Sequence, residues 1–377
     1  MRYEIIHRTA YTYKEPISVG HHLARLAPRD LDRQSLSWHG VDIEPPPSSM
    51  AGHKDYFGNS VLFFAMHGPH KELVVTAHSF VNVAAPIIPE PRATPEWETL
   101  RDGVRADVLT PDAEAGEFAF ASPFIQPDEI FAKYALTSFI PERPILSAAL
   151  DLNSRMFRDF KFDPKATDVA TPILDAFKLR RGVCQDFAQI YIACLRSIGL
   201  PVRYVSGYLE TLPPPGKPKL VGADASHAWV SVWCGAQHGW VDIDPTNNCM
   251  PSGRHITVAV GRDFGDVSPL RGVVYGSGDQ KLKVQVDVRP VTDPPIEKVK
   301  EAEKAQGQSQ SQGRSQSQSQ AQMALQTPGS SGASLTQVEL ESTQSQGNGG
   351  EQGAEFTAGS SQAHDFGQTN GCAGGMG

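Results

Sequence analysis

The chain has 377 residues, 40% hydrophobic and 20% charged, with a formal net charge of -8 at pH 7. That length allows two domains, and an acidic balance with no basic stripe to track phosphates argues against nucleic acid as a partner. No stretch approaches the roughly eighteen apolar residues that cross a bilayer, and cysteines without small-scaffold spacing suit a reducing compartment, so a cytoplasmic protein with no membrane partner is expected.

Residues 1–95 read as strands throughout. "YEIIHRTAYTY", "HHLARLAP", "WHGVDIEP", "SVLFFAMHG" and "ELVVTAHSFVNVAAP" are separated by Pro, Gly, Asp and Asn clusters at short intervals. The spacing predicts an antiparallel β-sandwich or barrel. The first residues alternate like a strand and do not resemble a targeting leader. Eight of the twelve histidines fall in this region. They sit on different strands and turns without a ligand pattern, so no metal is expected there.

Residues 96–140 mix acidic, Pro and aromatic residues and read as helical turns connecting two domains. A catalytic core is expected over 141–296. It opens on a helix in which Ile145, Ala149, Leu152, Met156 and Phe160 form one apolar stripe. A second helix follows in "DVATPILDAFKLRRG", with Thr171 as candidate N-cap, Pro172 in its first turn and Gly182 as a sharp bend after it.

In "RRGVCQDFAQIYIACL", Phe187, Ile190, Tyr191, Cys194 and Leu195 recur at helical spacing, and Gly199 followed by Pro201 supplies a stop. Cys184 therefore opens a helix. Unpaired N–H groups and the macrodipole at that end lower a thiol's pKa and offer donors to an oxyanion. Cys194 lacks that setting and reads as core, while Asp186 reads as a first-turn partner of the dipole.

After a strand at "PVRYVSGYLE", the Pro-rich stretch 211–225 is long enough to be a rim or lid. His227 then begins an alternating strand, and a second strand, Trp240 to Asp244, follows a Gly-containing turn. A hairpin centred near Gly235 and Ala236 places His227 opposite Asp244, and a bulge at Gly239 would slip that register by one or two residues. Asp242 lies on the same strand face, and periodicity does not separate the two carboxylates. Nucleophile, base and orienter in the order Cys, His, Asp follow the logic of papain-like triads.

"RGVCQDFA", "SHAWV" and "GWVDIDPTN" resemble the three motifs of the transglutaminase-like superfamily core, whose bacterial branch is commonly described as candidate cysteine proteases. The resemblance assigns the catalytic roles to Cys184, His227 and Asp244, and it alone selects Asp244 over Asp242. Residues 1–95, with "DYFGN" as a matching turn, resemble the N-terminal region that accompanies this core. The implied fold is α+β, an all-β N-terminal domain followed by a papain/transglutaminase-like core of helices on an antiparallel sheet.

The implied chemistry is cysteine-dependent acyl transfer or amide hydrolysis through a thioester, on a protein or peptide substrate and without cofactor or metal. Two alternatives stand beside it. Arylamine acyl transfer from coenzyme A uses the same three residue types, but no nucleotide pocket is recognisable. A non-catalytic binding module with this fold would be expected to lack a member of the triad. Phe162 stands where relatives often carry a tyrosine hydroxyl, so no second oxyanion donor is assigned.

"HITVAVGRDFGDVSP" and "KLKVQVDVRPV" read as further strands that finish the core sheet near residue 290. From 297 to 377 the Gln, Ser and Gly tract has little to bury and is expected to be disordered. Glutamine is the acyl donor of a true transglutaminase, but the tract reads as a low-complexity tail.

Overall fold

Along Arg2–Ala24 (β1), Tyr3, Ile5, His7, Thr9 and Tyr11 are buried and the residues between them are not, the period of a strand with one covered face. The computed structural model describes residues 1–105, 111–212, 224–275, 280–292 and 354–357. β1 pairs antiparallel with Ser60–Val83 (β4), which also pairs with Gln34–Glu44 (β2) and Ser49–Lys54 (β3). Register shifts between Thr12 and Val19 break the β1–β4 ladder into two halves. A small core of Tyr11, Ile17, Phe64, Leu73 and Val75 draws on both.

The segment after this sheet supplies the expected helical turns, Trp97–Arg105 (α1), Pro111–Ala115 (α2) and Glu129–Leu136 (α3). Ile145–Asp159 (α4) buries Ile145, Ala149, Leu152 and Met156 as its spacing predicts. A two-stranded parallel pair, Lys161–Phe162 (β5) and Arg181–Gly182 (β6), brackets Ile173–Leu179 (α5). That helix starts after Pro172, not at a Thr171 cap, and ends on Arg180 in the left-handed region, φ 57°. Arg180, two residues before Gly182, therefore makes the bend.

Cys184–Ser197 (α6) is the central helix. Every residue from Cys184 to Arg196 is buried, polar ones included, where the sequence showed a single apolar face. The reason is tertiary: α3 and α5 pack on it along with Val202–Leu209 (β7) and Ala225–Trp233 (β8). Gly199, φ +83°, ends it, because only a residue without Cβ takes that conformation cheaply. The core sheet runs β10-β7-β8-β9, with Trp240–Ile243 as β9 and His255–Gly261 as β10.

After Phe264–Val267 (α7), the chain returns to the first sheet. Of the two stretches expected to finish the core sheet, His255–Gly261 (β10) does join it, whereas Gln280–Pro290 (β12) pairs with β1, as does Leu270–Tyr275 (β11). The first and second halves of β1 each need a partner along the edge that β4 leaves free. Ala354–Thr357 (β13) pairs in turn with β11, a short strand inside a stretch expected to lack structure, because β11 otherwise presents an unpaired edge. The rest of the 297–377 expectation, and most of the 211–225 rim, lie outside the described residues.

The two sheets share one hydrophobic cluster that runs from Tyr3, Ile5 and Val81 through α4 and α6 to Val230 and Ile243. Polar side chains complete the joint. β10 is the edge of the core sheet, and Gln34 reaches it as a backbone mimic: its Nε2 donates to the Thr257 carbonyl at 2.8 Å, and its Oε1 accepts from the Thr257 N–H at 2.8 Å. Asn59 repeats the arrangement at Val260, with distances of 2.8 and 2.9 Å. Both amides are fully buried, so these backbone groups are satisfied without water.

Candidate active site

Cys184 is the first residue of α6, and extended backbone at Val183 turns the chain into it. Asp186 secures that entry by accepting from the Val183 N–H at 2.8 Å and from the Thr167 hydroxyl at 2.7 Å. Burial pushes the Asp186 carboxyl up, against the pull of those two hydrogen bonds. The same carboxylate explains Gly182: a Cβ there would collide with Asp186 Oδ2. The glycine makes room for the capping side chain.

His227 lies on β8 across from Gly207 of β7. Between β8 and β9 the observed pairs run from Val230 with Ile243 to Trp233 with Trp240, two residues away from a turn centred on Gly235 and Ala236. The wider turn uses Gly235 and Gly239, both at positive φ, and continuing its register sets Trp229 across from Asp244. A slip of two keeps every side chain on its face. His227 and Asp244 therefore still meet, on the diagonal, with Nε2 to Oδ2 at 2.7 Å. Cys184 is near enough to His227 to help raise its imidazole.

Asp244 is fully buried and saturated with donors. Its Oδ1 accepts from the N–H groups of Thr246 and Asn247 at 2.9 and 3.1 Å. Its Oδ2 accepts from His227, from Asn247 Nδ2 at 2.7 Å and from His255 Nε2 at 3.1 Å. Burial opposes the charge, yet attraction to His227 and the hydrogen bonds of His227 and His255 hold the carboxyl well below the usual range. His227 is raised to about 10: burial lowers it, and the Asp244 charge and hydrogen bond, with Cys184, outweigh that. Asp242 is engaged elsewhere, with Arg33 at 3.2 Å and the Trp229 indole N–H at 3.3 Å.

Residues 136–245 match the family model of the transglutaminase-like superfamily, and residues 3–82 match that of the bacterial transglutaminase-like N-terminal region. An uncharacterised protein of Mycobacterium tuberculosis is 38% identical over 299 residues, which cover 77% of this chain and 93% of that protein. The chain belongs to the transglutaminase-like superfamily. Another relative, an uncharacterised protein of Mycobacterium leprae, is 34% identical over 294 residues, covering 76% of this chain and 98% of its own. A solved Cytophaga hutchinsonii structure, described as a candidate cysteine protease, superposes with a TM-score of 0.60 at 19% identity, covering 78% of this chain and 93% of that one. It shares the transglutaminase-like fold.

Two members of this transglutaminase-like site escape motif reading. Asn247 belongs to the "DPTNN" turn, whose composition hides that its amide returns to Asp244. Its neighbour Asn248, at φ 49°, accepts from Asn153 and Ser154 and so pins the turn to α4. His255 comes eleven residues after Asp244 at the head of a strand, with no local signal of a polar role. The donor atoms of His227, Asp244 and His255 lie within 4.8 Å of one another, a spacing a cation could also span. The short contacts of this cluster, His227 and His255 to Asp244 Oδ2, are hydrogen bonds. Cys194 is buried core, its thiol pushed up to about 12 by burial.

Proposed function

We propose that this protein is a cysteine-dependent enzyme that cleaves or transfers acyl groups from protein or peptide amides, with Cys184 as nucleophile, His227 as acid–base and Asp244 as orienter. The His227–Asp244 hydrogen bond, with Cys184 near enough to help raise the same imidazole, carries the reading. Asp244 holds His227 Nε2, so the other nitrogen exchanges protons with the sulfur. The Cys184 thiolate attacks the amide carbon, and the C–N bond breaks as the imidazolium gives its proton to the departing amine. Water or a second amine then attacks the thioester, its proton passing to His227 and the thiolate leaving. The Cys184 backbone N–H, at the first helical position, has no intrahelical acceptor and is free to bind the oxyanion.

The test is peptide mapping of the intact full chain after brief iodoacetamide treatment near neutral pH. Cys184 should be carboxamidomethylated well ahead of Cys194 and Cys234, whose thiols burial pushes up to about 12. Profiling with peptide-amide and amine probes should give products that Cys184→Ala does not form. An unlabelled Cys184 in folded protein would overturn the assignment and favour a binding module.

A further inference from the structure

A second histidine meets the same carboxylate oxygen as His227, from a strand whose edge the N-terminal sheet holds. We propose that His255 is a positioning residue for Asp244, donating a hydrogen bond from a neutral ring that fixes the carboxylate toward His227. The inference rests on the roles proposed above for Cys184, His227 and Asp244.

The tautomer follows from the contacts. His255 Nδ1 accepts from the Ser252 N–H at 3.3 Å, so the proton of a neutral ring sits on Nε2, 3.1 Å from Asp244 Oδ2. The ring is fully buried and stands edge-on to Trp229, with centroids 5.3 Å apart and planes at 84°. The charged groups around it are Asp244 and Asp242 from the β9 side, His227 on β8, and Arg33, which donates to the His255 carbonyl at 3.3 Å. Burial lowers the pKa of His255, which the attraction of Asp244 offsets only in part.

Neutrality matters to the chemistry. A charged His255 would share the negative charge of Asp244 with His227 and weaken its hold on the imidazolium. An uncharged donor restrains the carboxylate and leaves that charge to His227. Placement matters equally, and it comes from the first sheet. Arg33 and Gln34 hold the backbone at His255 and Thr257, so the imidazole enters the site at a fixed height along β10.

The experiment measures the pH profile of Cys184 alkylation by iodoacetamide in the full chain, for wild type, His255→Leu, His255→Gln and His227→Ala. His255→Leu removes the donor and should slow alkylation near neutral pH by about tenfold, the scale of one lost hydrogen bond to a charged group. His255→Gln restores an N–H donor and should stay close to wild type. A folded His255→Leu with an unchanged profile, or a Gln variant as slow as Leu, overturns the proposal.

Should the Leu variant fail to fold, nitrogen-15 NMR of the histidine-labelled wild type decides. A neutral His255 with its proton on Nε2 between about pH 5.5 and 8 supports the proposal. A His255 that charges in that range, or is protonated on Nδ1, overturns it. His227→Ala separates the two levels. A profile unaltered by that change sinks the parent reading and this one with it, whereas a profile altered by His227→Ala but not by His255→Leu sinks this one alone.

Discussion

Asp244 accepts five hydrogen bonds, and its charge is what distinguishes it from an amide of the same shape. Asp244→Asn should lower turnover of a peptide-amide probe by orders of magnitude, ~10⁴-fold if it behaves as the orienting Asp of a serine triad. Asp242→Asn should do far less, since Asp242 faces Arg33 and Trp229. Equal losses would mean that the carboxylates are misassigned.

The same pair sets a pH signature. The folded pKa of His227 lies above its ordinary 6.5, so its stabilising charge is fully present below 6.5 and is lost as pH rises toward about 10. Asp244 is depressed below its ordinary 3.8, so its contribution is present above 3.8 and lost as pH falls further. The melting-temperature advantage of wild type over Asp244→Asn should therefore be largest between about pH 4 and 6.5 and shrink toward pH 10. A constant advantage across that upper range would show that His227 is not held charged.

Among the elements, α6 carries the greatest demand, because a helix buried all round must satisfy its polar side chains internally. Arg196 does so with four bonds, to the carbonyls of Phe118, Val202 and Arg262 at 2.8, 3.0 and 2.6 Å and to the Ser122 hydroxyl at 3.1 Å. Burial lowers the Arg196 guanidinium to about 10, against the attraction of nearby Asp263. Lysine cannot present that fork, so Arg196→Lys should cost roughly 2–4 kcal/mol by leaving buried acceptors unpaired. Urea unfolding should show the loss as a lower midpoint at unchanged slope, and a midpoint equal to wild type would refute it.

At the scale of the molecule, the two sheets share one apolar core. The N-terminal sheet contributes Tyr3, Ile5, Val81 and Val83 to the cluster around α6, and Phe57 packs beside Trp229 on the far face of the core sheet. Its Gln34 and Asn59 satisfy the edge of β10. A chain restricted to residues 96–292 would expose that apolar face and those unpaired groups. It should melt without a cooperative transition, or precipitate, and should lose fast Cys184 alkylation. A well-folded fragment with wild-type reactivity would show that the N-terminal sheet is an accessory.

Local pattern determined a good deal. The stripe of α4, the start and stop of α6 around Cys184 and Gly199, and the alternation of β1 and β8 each follow from rules that act within a few residues, namely period, capping and glycine geometry. Three short motifs also sufficed to place the likeness to a known core on Cys184, His227 and Asp244. Tertiary structure decided the rest. The two-residue shift of the β8–β9 register, the departure of β12 to β1, and the burial of α6 on every side depend on partners far away in sequence. His255 is the clearest instance. A histidine at the head of a strand carries no local mark of its partner, and only the pairing of β10 with β7, held from outside by Gln34, brings its ring to Asp244.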